Sequence, residues 1–399
     1  MANTYTPQDV YAIVNSIVAQ ATGSTALTAV DTTTFVAVGE TLLQTAPENT
    51  LNAISNVIAK TIFSVRPYTG SLTSLRVASE RWGAMVRKIV TLYSDTEESE
   101  DYNTQLNPTQ LDDGNSVDMF KIRKPVVMQL NFIGTKKLQK HITIFRDQLS
   151  TAFHSEAEFA AFLDAVMVEF NNEIELANES KARALLLNAI AGIKDMNLTV
   201  VDLVAEYNTR NNISPALTRQ ECLDKDHIES FMKFASSQIK IWSNKLTNLS
   251  SSYHANLTGY QPILRHTPKA RQKMIMYTPY FIESEAQVYS SLFNPQYLDI
   301  GSFEGVNFWQ SETTPESVNC KPNILDVATG KSVDAAAAVS IDYVLGILYD
   351  EDAMGVMPQF DYASTSPFNS AGGYFNSYMH WRWQEYVDYT ENMVLFILG

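Results

Sequence analysis

Hydrophobic and polar positions near the start of the chain repeat with the period of an α-helix. Residues 10–18 place Val and Ile on one stripe, which predicts a helix with one buried face. Thr6 offers a capping hydroxyl just before a proline, a sequence typical of a first helical turn. Two further amphipathic segments, 33–44 and 48–63, precede a breaker cluster at 66–70. The first part of the chain is therefore predicted to be helical.

The pattern then changes to β-branched and aromatic residues. Residues 85–93 and 119–132 are predicted strands, and Pro125 in the second indicates an edge position or a bulge. The connection between them is long for a compact domain. We therefore predict an extended hairpin. Because a two-stranded hairpin is marginally stable in water, it must be supported from elsewhere.

The longest helical pattern begins at a capping box, Ser155 to Glu158, and continues to residue 191 without Gly or Pro. Apolar residues from Phe159 to Ala177 lie on one stripe. The pattern predicts one helix of ~55 Å that ends at Gly192, at about 1.5 Å per residue. The alternative is two shorter helices that are broken near Asn178.

Residues 197–370 have a mixed pattern that predicts helices and strands in alternation. The last segment is rich in aromatic residues and predicts a long pair of strands. The predicted elements are a helix capped by Asp226 and running through Trp242, a buried strand Met274–Tyr277, a helix 283–292, strands 305–309 and 339–349, and the strand pair within 374–398.

Composition limits the function classes. The hydrophobic fraction of 45% is sufficient for a large core. Acidic residues outnumber basic ones by 44 to 29, for a net charge of −15, so the chain should repel nucleic acid rather than bind it. The first residues lack the pattern of a secretion signal, and no apolar stretch reaches the ~20 residues of a membrane span.

Charge is segregated within the predicted hairpin. Residues 94–118 hold eight acids and no base, whereas residues 119–146 hold seven bases and no acid. One interpretation is a solvated acidic loop beside a basic surface. The other is that the tip of one copy meets the shaft of a neighbouring copy. The predicted interface residues are Asp95, Glu97, Glu98, Glu100 and Asp101 on the tip, and Arg123, Lys124, Lys136 and Lys137 on the shaft.

A search for catalytic or metal-binding patterns finds none that is specific. There is no phosphate-binding glycine loop and no G-x-S-x-G turn. Asp224, Asp226 and His227 are interpreted as helix-start residues rather than metal ligands, and the acids 350–352 as a charged turn rather than a calcium loop. His380 is interpreted as a packed residue. We therefore expect a structural subunit without cofactor or metal, not an enzyme.

The two cysteines, Cys222 and Cys320, have no partner at a metal-ligand spacing. They could form one bridge, but free thiols fit better with a chain that carries no secretion signal.

The order of the predicted elements resembles that of the major capsid proteins of tailed phages, the Hong Kong ninety-seven type fold. Stretches similar to the shell proteins of the phi-twenty-nine group of short-tailed phages lie at 36–40, 92–96, 149–153, 343–353 and 373–378. The resemblance implies an α+β fold with an N-terminal arm (1–66), an extended loop (67–146), the spine helix of a peripheral domain (147–196), an axial domain (197–370) and returning C-terminal strands (371–399).

The resemblance also implies a function. Copies would form pentamers and hexamers of an icosahedral shell, assembled in the host cytoplasm and ending in the virion capsid. The shell would enclose double-stranded DNA without sequence-specific binding, with a portal and a scaffolding protein as expected partners and no membrane. The alternatives are another virion protein (portal, tail or decoration) or an α/β hydrolase with a site in 197–370.

Overall fold

The computed structural model describes residues 7–22, 28–45, 70–77, 85–92, 119–120, 122, 124, 126–133, 135–146, 156–280, 282 and 302–399. The chain forms two units. The first unit is built from residues 1–84, 134–185 and 355–385, and the second from 85–133, 186–354 and 386–399. Each contains both helix and sheet, so the α+β class predicted from the sequence is confirmed.

The helices and strands of the described residues are as follows. The helices are α1 (Pro7–Thr22), α2 (Thr32–Thr45), α3 (Glu156–Asp195), α4 (Leu203–Asn211), α5 (Arg219–Cys222) and α6 (Ile228–Leu246). The strands are β1 (Met85–Thr91), β2 (Val127–Ile133), β3 (Thr135–Phe145), β4 (Val200–Asp202), β5 (Gln272–Tyr277), β6 (Ser302–Val306), β7 (Val318–Cys320), β8 (Asn323–Asp326), β9 (Lys331–Asp334), β10 (Val339–Ile341), β11 (Val344–Asp350), β12 (Met354–Thr365), β13 (Tyr374–Val387) and β14 (Met393–Ile397).

The N-terminal helices form as the hydrophobic pattern predicts. Helix α1 buries Val10, Val14 and Ile17, and the Tyr11 and Phe35 rings of α1 and α2 lie 6.3 Å apart. The predicted helix 48–63 lies outside the described residues. Two of the three predicted N-terminal helices are thus confirmed.

The sheet of the first unit has the order β12-β13-β3. Strand β13 alternates between buried and partly exposed residues, and Phe375, Met379 and Trp381 are on its buried side. On the opposite side His380 stacks on Tyr362 at 4.4 Å between ring centroids. His380 is therefore a packed residue, as predicted.

Helix α3 is a single helix of 40 residues, as predicted, but it does not end at Gly192. The helix ends at Asp195, and Asn197 follows with a left-handed φ of 52°. The amide of Leu198 then donates to the Ile193 carbonyl at 2.9 Å, the bond typical of a helix C-terminus. Gly192 lies inside the helix, where the side chain of Tyr389 packs against it. The local sequence does not show this contact.

The middle of α3 is bound to other parts of the first unit. Arg76 forms an ion pair with Glu175 at 2.6 Å, and the Ser71 hydroxyl donates to Glu179 at 2.6 Å. The Trp383 indole donates to the Asn178 side chain at 2.7 Å, and both residues are buried. Asn178 thus bonds to the sheet rather than breaking the helix.

The sheet of the second unit has the order β4-β14-β11-β5-β6. Every residue of β11 and β14 is buried, which agrees with their continuous apolar sequences. The prediction that 374–398 forms a pair of strands is wrong in its pairing. Strand β14 lies between β4 and β11, whereas β13 belongs to the sheet of the first unit.

Three predicted strands have other bounds. The segment 119–132 forms a strand only from Val127 onward, and 305–309 corresponds to β6, which ends at Val306. The segment 339–349 divides into β10 and β11 because Tyr343 has a left-handed φ of 55°. The buried strand 274–277 is confirmed within β5.

The predicted cap of α6 is wrong. The helix begins at Ile228, and His227 occupies the capping position without a side-chain hydrogen bond. Asp226 is exposed in the preceding turn. The backbone carbonyl of Asp224 accepts from the His227 amide at 3.0 Å instead. Both cysteines, Cys222 and Cys320, are free thiols, as predicted.

Candidate functional site

The base of the predicted hairpin is a regular antiparallel pair. Strands β1 and β2 pair from Met85 opposite Ile133 to Thr91 opposite Val127. Side chains alternate between the two faces of such a pair. On one face Val90 and Met128 pack with Ile263 in a buried apolar cluster. The hairpin base is therefore supported by the second unit of its own chain.

A buried ion cluster also holds the hairpin. The Lys88 ammonium of β1 lies 2.5 Å from the Asp388 carboxylate and also pairs with Glu391. Arg265 reaches Glu391 at 3.1 Å. Burial raises the pKa of Glu391, while Lys88 and Arg265 oppose that shift. We call these four side chains the hairpin clasp.

A buried histidine supports the loop beneath the hairpin. One ring nitrogen of His254 lies 2.8 Å from the Ile263 carbonyl, and the other lies 3.0 Å from the Asn392 side chain. The Asn256 side chain accepts from the Ile263 amide at 2.8 Å. Burial lowers the pKa of His254. His254 and Asn256 thus both bond to Ile263, the residue of this loop that packs against the hairpin.

The other face of the hairpin is exposed and carries Ile89 and Val127 among the polar residues Arg87, Thr91, Gln129 and Asn131. Ile89 is 62% exposed and Val127 is 55% exposed. The residues preceding β2 are more exposed still, with Met119 at 83%, Phe120 at 80% and Ile122 at 91%. These five exposed apolar side chains make the hairpin and the segment before β2 a candidate interaction surface.

The structure describes only some of the predicted charged interface residues. The acids Asp95, Glu97, Glu98, Glu100 and Asp101, together with Arg123, lie outside the described residues. Lys124 is exposed and belongs to the second unit.

Lys136 and Lys137 are adjacent on β3 in the first unit, and both are exposed. They differ in their surroundings. Lys136 forms an ion pair with Glu385 at 2.5 Å, whereas Lys137 makes no ion pair within the described part of the chain.

The carboxylates 350–352 surround a guanidinium. Arg271 lies 3.4 Å from Asp350 and 3.0 Å from Glu351, and it also pairs with Asp352. Across the residues that the structure describes, no group of three or more His, Cys, Asp or Glu side chains is arranged to hold a metal ion. The acidic turn predicted from the sequence therefore binds a side chain of its own chain.

A cavity lies between the hairpin and two loops of the second unit. Its volume is about 310 Å³, and Leu92, Met128, Leu257, Tyr260 and Val327 contribute to its walls. Sequence reasoning did not identify this cavity, nor the clasp, because the residues that form them are far apart along the chain. Lys88, which follows Arg87 inside a predicted strand, is the local signal that could have indicated the clasp.

One family model matches most of the chain. The model of a family described as Phi29-like phage major capsid protein matches residues 12–397. The capsid structure of Staphylococcus phage Andhra is similar over 84% of this chain and 86% of that one, with 10% identity and a TM-score of 0.54. A chain in the structure of the head fiber and inner core protein gp22 of native bacteriophage P68 is similar over the same shares, at 10% identity and a TM-score of 0.48.

None of the curated protein sequences matches the chain. Within the described ranges, no helix is long and apolar enough to cross a membrane.

Proposed function

The chain belongs to the Phi29-like phage major capsid protein family, and on that premise we propose that its hairpin joins neighbouring copies into the rings of five and six of an icosahedral head. As a major capsid protein it assembles in many copies into the shell of the virion. We propose only how those copies are arranged and which surfaces join them.

The exposed apolar residues of the hairpin carry this proposal. Ile89 and Val127 face solvent on a strand pair whose opposite face is already buried. Covering a side chain of this size stabilises a contact by roughly 1.5–3 kcal/mol. A neighbouring copy that covers this face would supply most of the affinity.

Charged residues would set the register of that contact. Lys124 and Lys137 are exposed, and the acids at 95–101 would meet them on a neighbour. An exposed ion pair contributes only about 0–1 kcal/mol, so the charges direct approach and alignment more than they add affinity. Lys136 already pairs with Glu385 of its own chain. It would meet an acid of the neighbour only by giving up that ion pair.

The peripheral domain would correspond to the spine helix region 147–196 with the arm 1–66 and strand β13, and the axial domain to 197–370 with strand β14, which pairs with β4 and β11. The extended loop, 67–146, would link the copies. Its role in assembly requires no cofactor and no catalytic residue, and a net charge of −15 suits a wall around DNA that does not bind it. A portal and a scaffolding protein are the proposed partners.

Electron microscopy of the purified protein tests this proposal. Closed particles are expected for the wild type, whereas open rings or tubes would favour a portal or tail role and contradict it. Ile89→Asp should abolish closed particles. Leu249→Asp is the matched control, since Leu249 is also in the second unit and is 59% exposed. Equal assembly of the two variants would show that the hairpin face is not the contact.

A further inference from the structure

Tyr343 has a backbone conformation that its residue type disfavours. It lies between β10 and β11 with a φ of 55°, and the left-handed region costs an L-residue about 1–2 kcal/mol. Of the other described non-glycine residues with positive φ, Asn197 and Asn212 are at helix ends, where asparagine is tolerated. Leu72 is fully buried. Tyr343 is different because its side chain is 41% exposed.

The residues around Tyr343 fix this conformation. The Val344 amide donates to the Glu316 carbonyl at 2.9 Å, and the Leu398 amide donates to the Tyr343 carbonyl at 3.0 Å. The indole of Trp309, which is 1% exposed, donates to the Val344 carbonyl at 2.8 Å. The peptide group that follows the strained residue is thus held by hydrogen bonds at both its carbonyl and its amide. Such strain persists where the surrounding structure determines it, and it is concentrated at functional sites.

The side chain of Tyr343 is also held in place. The guanidinium of Arg219 lies 3.8 Å from the centre of the tyrosine ring, a cation–π contact. Arg219 in turn pairs with Glu316 at 2.5 Å. Arg219 is the first residue of α5, whose start is fixed by the capping box of Thr218 and Glu221. The ring is therefore presented to solvent with one face covered and little rotational freedom.

We propose that Tyr343, positioned by Arg219, is an anchor that binds a second copy of this chain in the shell. A rigid, exposed tyrosine beside an arginine is the combination that dominates the energetics of protein interfaces. Within one copy 41% of Tyr343 stays exposed in spite of the cost of the strained backbone. Since rings form through contacts between different surfaces of neighbouring subunits, Tyr343 would enter a pocket elsewhere on the adjacent copy. This inference rests on the proposed function.

The test separates an interface role from a folding role. Tyr343→Asn and Tyr343→Gly both tolerate the left-handed conformation and remove the ring. The urea midpoint of the unassembled variants should equal or exceed that of the wild type, while the yield of closed particles should fall at least tenfold. Tyr343→Phe keeps the ring and should assemble. Tyr362→Asn removes another exposed tyrosine, 51% exposed in the first unit, and should also assemble.

Two outcomes would overturn the inference. The first is a wild-type yield of particles from the Asn or Gly variant, which would leave the proposed function intact because the wild type still assembles. The second is a clear loss of stability in both variants, which would give Tyr343 a folding role. A wild type that forms no closed particles would instead contradict the proposed function itself.

Discussion

The hydroxyl of Tyr389 occupies the space that a side chain at Gly192 would need, since a Cβ atom built at residue 192 would lie 2.0 Å from it. The same hydroxyl lies 3.1 Å from the backbone oxygens of Asn188 and Asn323. Tyr389 therefore connects the last turns of α3 to β8 through a contact that only glycine permits.

Gly192→Ala should destabilise the subunit by about 1–3 kcal/mol, the usual result of overpacking a buried site, although alanine favours a helix. The free energy of unfolding in urea measures it. Gly192→Ala combined with Tyr389→Phe should lose less than the sum of the two single changes, because the hydroxyl is then absent. An unchanged midpoint for Gly192→Ala would contradict the close approach.

Lys88→Met should destabilise the subunit by about 3–5 kcal/mol, because removing one member of a buried ion cluster leaves the others without compensation. Asp388 and Glu391 are 2% and 6% exposed and would keep only Arg265 nearby. Lys233→Met is the control, because its ion pair with Glu229 is on the surface and such pairs contribute about 0–1 kcal/mol. Similar losses of stability in the two variants would show that the hairpin clasp contributes no more than a surface ion pair.

The stability of the subunit should decrease as the pH falls from 7 to 5.5. Burial lowers the pKa of His254 below its value of 6.5 in the unfolded chain, so the unfolded state binds the proton first and acid favours unfolding. Denaturation midpoints across this range, for the wild type and for His254→Asn, measure the effect. The variant should show a shallower slope, and parallel curves would rule out His254 as the source.

Reversing Glu97, Glu98 and Glu100 to Lys should impair shell formation and leave the subunit folded, because the tip would then repel the basic shaft of its neighbour. Particle yield by electron microscopy and the urea midpoint measure the two effects. Lys124→Glu with Lys137→Glu should restore part of the yield. Normal shells from the triple variant alone would exclude the charge pairing.

The sequence predicts those elements whose determinants are local. Helix α3 follows from its periodicity and its lack of breakers, and β5 follows from its apolar run. The sequence does not predict the end of α3, because Gly192 makes room for the side chain of Tyr389, a residue of another segment, and does not end the helix. The position of the break at Tyr343 is not predictable either, since Asp342 and Gly346 both disfavour a strand and yet Gly346 lies inside β11.

In the candidate site, too, the sequence shows the local features but not the contacts between distant residues. Charge segregation between 94–118 and 119–146 is visible in the sequence, but the partners that we propose for those charges belong to another copy. Within the chain, Lys88 and Asp388 meet only after the fold has formed. The pairing of β13 and β14 was predicted from their proximity, although the alternating pattern of one and the continuous apolar pattern of the other indicate different environments.

Strand β14 has a consequence for synthesis of the subunit. It is central in the sheet of the second unit, parallel to β4 and antiparallel to β11, and it is made from residues 393–397. While a ribosome is still translating the preceding residues, β4 and β11 have unpaired edges and this sheet cannot close. A nascent chain therefore cannot offer a finished second unit to a growing shell. A subunit can therefore be added to the shell only after β14 has been made and has entered this sheet.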